Sequence, residues 1–210
     1  MFDARISPIG KIALITAAAI FAIATWNSPG RAAENTQLAE LYQLQAAFHA
    51  ASTVHDPVNG DSPVAIDQRI RDMMAIWTED GVFVKGGGAN AGNYIGTGDP
   101  ADPATCPTPS GDPANEGTLC TFFKYIAGSF QPGNKWVSLA PAYKTSFDIH
   151  GNTAMVDFQC HYFDVSTDAG GNPLWKATAH LPFHGDAEKV GGKWLLSDAE
   201  PAPPPGIPVP

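Results

Sequence analysis

Basic residues are scarce: Lys and Arg number 12 against 21 Asp and Glu in 210 residues, a formal net charge of −9. So acidic a surface argues against nucleic acid and anionic membrane as partners, because both select for Lys and Arg. No uninterrupted apolar run reaches the ~20 residues that a spanning helix needs. No ATP, nicotinamide or flavin signature is present; Gly86-Gly87-Gly88 lacks the spacing and the following helix of a phosphate loop. No cofactor is therefore implied. Cysteine is limited to Cys106, Cys120 and Cys160, an odd set. With 44% hydrophobic residues, a chain of this length buries one substantial core, and nothing suggests two.

At the start of the chain, Arg5 and Lys11 precede the apolar run 12–26, and Gly30 and Ala32 supply small residues after it. The pattern reads as a secretory signal, residues 1–32, cut after about Ala32, and places the mature chain outside the cell or in the periplasm. A membrane is a partner only if this segment stays uncleaved. Removing it takes away Arg5, Lys11, Arg31 and Asp3 and moves the formal charge from −9 to −11. In an exported chain Cys106 and Cys120 have the opportunity to close a loop over the Pro/Gly-rich segment between them, and the sequence leaves open whether they do. Cys160 sits in an apolar strand pattern and reads as a small buried hydrophobe.

Three helices are expected. Thr36 caps the first, whose positions Leu41, Leu44, Phe48 and Ala51 share one face and which ends near Thr53; His49 and His55 flank its end as surface groups. Ser62-Pro63 opens the second, with Ile66, Ile70, Met73, Met74 and Trp77 along one stripe. Thr78-Glu79-Asp80-Gly81 breaks it, and Val82-Phe83-Val84 leaves as a strand. The third runs from Thr118 with Leu119, Phe122, Phe123, Ile126 and Phe130 facing the core, and residues 131–134 end it. Between the second and third lie the short strand 93–98 and an insertion at about 99–115, either a lid or a surface loop. After 137 the chain alternates as strands do, through a turn at Gly151-Asn152, a loop at 164–173 and a turn at Gly191-Gly192. Residues 201–210 form a Pro-rich tail.

The junction Trp77-Thr78-Glu79-Asp80-Gly81-Val82-Phe83 resembles the helix-to-strand junction of the nuclear transport factor 2-like superfamily, particularly its SnoaL-like branch. The hairpin Asp148-Ile149-His150-Gly151-Asn152-Thr153-Ala154 and the closing Gly191-Gly192-Lys193-Trp194-Leu195-Leu196 resemble that family as well. The resemblance spans residues 36–200, within a domain bounded at 33–200. It implies an α+β fold: a cone-shaped α+β barrel in which a strongly curved antiparallel sheet wraps around three helices from the N-terminal half. It further implies a homodimer and one pocket for a small hydrophobic organic ligand. The fold alone does not name a reaction, since such pockets serve lyases, isomerases and hydrolases as well as domains that only bind. Lys85 stands where the ketosteroid isomerases of this superfamily carry a carboxylate base, and Arg69 and Arg71 are the arginines left after residue 32, so the Asp-Arg-Asp arrangement of its epoxide hydrolases is not evident.

One arrangement points to acid/base chemistry. If Phe163 pairs with Leu174, Asp157 lies opposite His180 at about 5 Å, with His161 further along the strand. An aspartate beside a histidine raises its pKa and fixes its tautomer. Asp157, His180 and His161 are thus the candidate catalytic set for a cofactor-independent lyase, isomerase or hydrolase; a polar face turned to solvent or to a second subunit is the alternative. No compact set of His, Cys and carboxylate residues has metal-ligand spacing. On the apolar face Tyr42, Trp77, Tyr143 and Tyr162 are the candidate ligand-binding residues.

Overall fold

The computed structural model describes residues 29–56, 59–86, 90–98, 102–129 and 138–200. The signal segment up to residue 28, the expected helix stop at 131–134 and the tail 201–210 lie outside the described residues. The chain separates into two compact units, up to Glu40 and from Leu41. Of the first, the described residues form the N-terminal part of helix α1, Pro29–Ser52. Thr36 does not cap this helix; its Oγ1 donates to Ala32 O at 2.9 Å, a back-bond within the helix.

From Leu41 onward the second unit holds the rest of α1, then α2 (Pro63–Met74), β1 (Trp77–Lys85), β2 (Gly92–Ile95), a single 3-10 turn Pro103–Thr105, α3 (Leu119–Ser129), β3 (Ser138–His150), β4 (Thr153–Thr167), β5 (Pro173–Val190) and β6 (Lys193–Glu200). Ser62 caps α2 as expected, its Oγ accepting from Ala65 N at 3.2 Å with Pro63 in the first turn. The second helix stops earlier than its stripe implies. Ala75 and Ile76 form the turn, Ile76 O accepts from Leu196 N at 2.8 Å, and Trp77 already belongs to the sheet. Thr78 to Gly81 are therefore not a turn; they lie in β1, where the pairing with β6 shifts register between Trp77 and Val82.

The strands form one sheet in the order β2-β1-β6-β5-β4-β3. The α+β class is the one expected, but the sheet is mixed rather than wholly antiparallel and is not closed, with β2 and β3 left as its two edges and β1 running parallel to β6 while the other pairs are antiparallel. Alternation sorts the central strands cleanly. Ala154, Val156, Phe158 and Cys160 on β4 and Phe183 and Ala187 on β5 are buried, whereas Met155, Asp186 and Glu188 between them are exposed. The buried face carries stacked Phe158 and Phe183, centroids 4.4 Å apart, and α1 lies on it through Phe48, 4.8 Å from Phe183. α3 closes the core from another side, with Phe122 stacked on Phe83 at 4.2 Å and Phe123 within 6.2 Å of Trp77.

The insertion is a strap along the β2 edge. Pro113 O and the Glu116 N–H bond to Asn93, and Ile95 N donates to Gly117 O at 2.9 Å, so residues 113–117 satisfy backbone groups that an open edge would leave unpaired. Only glycine fits at position 92, where φ is +153° and a Cβ would lie 2.8 Å from Pro113 Cα. A disulfide between Cys106 and Cys120 ties the strap to α3, and Lys124 Nζ donates to Ala104 O at 3.2 Å.

Candidate functional site

The register of β4 on β5 departs from the expected one. The side chain of Asp168 makes a compact turn, its Oδ1 accepting from Gly170 N and Asn172 N at 2.8 Å each, and the strands run on to pair Thr167 with Pro173. The expected loop at 164–173 is thus only five residues, 168–172, which moves the register. A bulge between Tyr162 and Phe163 moves it one residue more. Asp157 consequently pairs with His184 and not with His180, while His161 and His180 become partners of each other.

The Asp-His pair nevertheless exists at the corrected position. His184 Nδ1 donates to Asp157 Oδ1 at 2.6 Å, and the side chains are 43% and 38% exposed. This hydrogen bond, ahead of the opposing effect of partial burial, raises the pKa of His184, assisted by the charges of Asp157, Asp186 and Glu200. Asp157 and His184 alternate with Phe158 and Phe183, so the pair faces away from the aromatic core. Around it the outward face is acidic: burial raises the pKa of Asp198 and neighbouring Asp186 and Glu200 raise it further. Among the described residues no group of three His, Cys, Asp or Glu has the geometry of a metal site.

The candidate ligand-binding residues divide. Trp77 is buried with its indole Nε1 unpartnered among the described residues, and packs against Phe83 and Phe123. Tyr42 is half-exposed at the edge of α1, edge-on to Phe147 at 5.0 Å. Tyr143 and Tyr162 are placed by their backbones alone, opposite Gln159 and Leu139 on neighbouring strands; their side chains lie outside the described residues, as do those of His161 and His180. Lys85 ends β1 with its Nζ 5.5 Å over the Tyr125 ring, and burial lowers its pKa while Glu116 opposes the change.

Sequence reasoning missed His49. It is not a surface group: its residue exposure is 8%, its ring lies 5.3 Å from Phe158 and 5.8 Å from Phe48, and neither Nδ1 nor Nε2 has a hydrogen-bond partner among the described residues. Burial pushes its pKa down to about 4, so the imidazole is neutral at pH 7. A signal for it was present. Leu41, Leu44, Phe48 and Ala51 make the apolar stripe of α1, and Tyr42, Gln45, His49 and Ser52 repeat the same spacing one residue later, about 100° around the helix. That second stripe meets the sheet: Gln45 Nε2 donates to Thr145 Oγ1 of β3 at 2.8 Å. His55, by contrast, is exposed as expected.

The stripe is held in place at its end. Arg69 of α2 donates through Nε and Nη2 to Ala51 O and Ser52 O, the last carbonyls of α1, at 3.1 and 2.8 Å, and through Nη1 to Asp61 at 2.7 Å. Both ionic side chains are buried, 2% and 1% exposed. An arginine fork here supplies the partners that a helix C-terminus lacks and fixes α2 against it.

No family model matches the chain and no curated protein matches it. Solved structures similar to it include an NTF2-like protein with a cystatin-like fold from Novosphingobium aromaticivorans, 13% identical with a TM-score of 0.49, covering 86% of this chain and 92% of that one. An NTF2-like protein of unknown function from Pseudomonas putida is 11% identical, TM-score 0.48, over 83% and 88% of the two chains. Aln2 from a Streptomyces species is 12% identical, TM-score 0.49, over 79% and 88%. The fold described above is read from the chain's own elements and register.

Proposed function

We propose that this protein binds a small, largely apolar organic molecule between α1 and the aromatic face of the sheet. The observation that carries this reading is His49. An imidazole with two unpartnered nitrogens in an aromatic core costs stability, at about 1–3 kcal/mol for each unsatisfied polar group, and a ligand that pairs with it restores what folding gave up. One turn before His49 on α1 the Gln45–Thr145 bond adds a polar point to otherwise apolar surroundings, the usual make-up of a small-molecule site. Export after cleavage near Ala32 is part of the proposal, supported by the N-terminal pattern and by the Cys106–Cys120 bond.

The test is saturable binding of the neutral fluorophore N-phenyl-1-naphthylamine. One saturable site is expected, lost when Phe158→Trp overfills the inner face and unchanged in Asp157→Asn on the outer face. Absence of saturable binding by the wild type, or equal loss in both variants, rejects the interior site.

A second reading, acid/base catalysis as a lyase, isomerase or hydrolase, draws support from the Asp157–His184 bond, with His161 and His180 paired through their backbones four residues further along the same two strands. In that case His180→Ala or His184→Ala abolishes turnover of the substrate while sparing affinity for the fluorophore. The same outward face suits a homodimer, and loss of self-association in these variants without loss of turnover favours that role instead.

A further inference from the structure

The chemistry around His49 narrows the class of ligand, on the premise that the interior site proposed above exists. The imidazole is flanked by Phe48 and Phe158, and Phe183 stacks on Phe158. Among the described residues, the groups on the elements packed against it carry no free charge. On β4 the described titratable group on the same buried face as Phe158 is Cys160, a thiol that burial pushes up to about 12. The buried residues of α3 from Leu119 to Phe123 include no acid or base. On α2 the charge of Arg69 is consumed by Asp61 and by the carbonyls that end α1. We infer that the site takes an uncharged, aromatic-sized molecule carrying one hydroxyl or carbonyl, with that group hydrogen-bonded to His49, and that it rejects the corresponding carboxylate.

The argument is one of matched donors and acceptors. A neutral imidazole presents one N–H donor and one bare acceptor nitrogen. A hydroxyl can engage either, and a carbonyl engages the donor. A wholly apolar molecule leaves both unpaired, and sites built around a buried polar group discriminate strongly against analogues that cannot pair with it. A carboxylate needs a cation, and among the described residues of the site that cation is protonated His49. With its pKa near 4, about one molecule in a thousand carries that proton at pH 7, so an anion that depends on it loses about a thousandfold in apparent affinity. That loss shrinks about tenfold for each pH unit lowered toward 4, whereas a neutral ligand's affinity stays flat.

Naphthalene, 2-naphthol and 2-naphthoate test this as displacers of N-phenyl-1-naphthylamine and by direct calorimetry at pH 7 and pH 5. The wild type is expected to bind 2-naphthol at least about tenfold tighter than naphthalene at both pH values, as a good buried hydrogen bond requires. 2-Naphthoate is expected to be at least about a hundredfold weaker than 2-naphthol at pH 7 and to gain about a hundredfold by pH 5. His49→Phe removes the preference for the hydroxyl, and His49→Gln, which keeps a donor and an acceptor, retains it. Equal binding of naphthalene and 2-naphthol, tight binding of 2-naphthoate at pH 7, or a hydroxyl preference that survives His49→Phe overturns the inference while leaving interior binding in place. Failure of all three probes to bind the wild type saturably overturns both.

Discussion

At the scale of single residues, His49 and His184 show how one side chain type is driven in opposite directions by its surroundings. His184 gains a carboxylate partner and stays close to water, which raises its pKa. His49 loses water and gains nothing, which lowers it to about 4. The consequence for stability follows from linkage. As pH falls below 6.5 the unfolded chain protonates position 49 while the folded chain does not, so the native state is fully stable above 6.5 and loses stability between 6.5 and 4. The size is about 3 kcal/mol at the acid end, from about 1.4 kcal/mol per unit of difference. His49→Phe, also a flat ring and without polar nitrogens, is expected to be more stable than the wild type at pH 5 and to lack this slope in urea titrations across the range. Parallel pH profiles for the two proteins would mean that water reaches the imidazole. Trp77 also carries a buried nitrogen unpartnered among the described residues, but its ring packs into the α3 aromatic cluster as its apolar character implies, whereas the polar stripe that carries His49 reads as a surface face until the sheet is placed over it.

At the scale of elements, the end of α1 depends on a residue from α2. Arg69 pairs with Asp61 and caps two carbonyls of α1, all with almost no access to water. Arg69→Met keeps the length of the side chain but takes the guanidinium from Asp61, whose Oδ1 keeps the His55 and Asp56 N–H groups, and takes the cap from two carbonyls, and about 3–5 kcal/mol should be lost in chemical denaturation. A loss below about 1 kcal/mol would show that Asp61 finds water once its partner is gone. Element boundaries were mostly readable from local chemistry: Ser62-Pro63 opens α2, Gly151-Asn152 and Gly191-Gly192 turn the hairpins, and the aromatic run of α3 begins at Leu119. The exceptions are the places where another strand intervenes. β6 captures Ile76 and ends α2 early, and β1 absorbs Asp80-Gly81 as an irregularity because its neighbours bond it on both sides.

At the scale of the whole molecule, the disulfide and the N-terminal segment both bear on the proposed export. Secretion from a host with an export pathway is expected to yield a chain beginning at Ala33 whose intact mass is two hydrogens short of the fully reduced form, and reduction of the Cys106–Cys120 bond to cost about 3 kcal/mol for its loop of roughly 15 residues. An N-terminus at Met1 in the secreted or periplasmic fraction, or a mass that retains those hydrogens, contradicts this course. The bond fastens the strap to α3 while the strap's backbone occupies the β2 edge, so loss of the bond should first expose residues 107–115 to protease and leave the β4–β5 hairpin intact.

The sequence by itself determined the order of helices and strands, the parity that sets Phe158, Cys160 and Phe183 on the buried face, the turns at Gly151-Asn152 and Gly191-Gly192, and the presence of an Asp and a His able to meet across one hairpin. Each of these depends on neighbours within a few residues, through periodicity, capping or turn chemistry. Only the tertiary structure decided which histidine meets Asp157, because register is set by the closure of the Asp168 turn and by a bulge whose effect carries along the whole pair of strands. It alone decided that His49 is enclosed, because burial of a helix face depends on what the sheet presents opposite it, here Phe158 contributed from more than a hundred residues further along the chain.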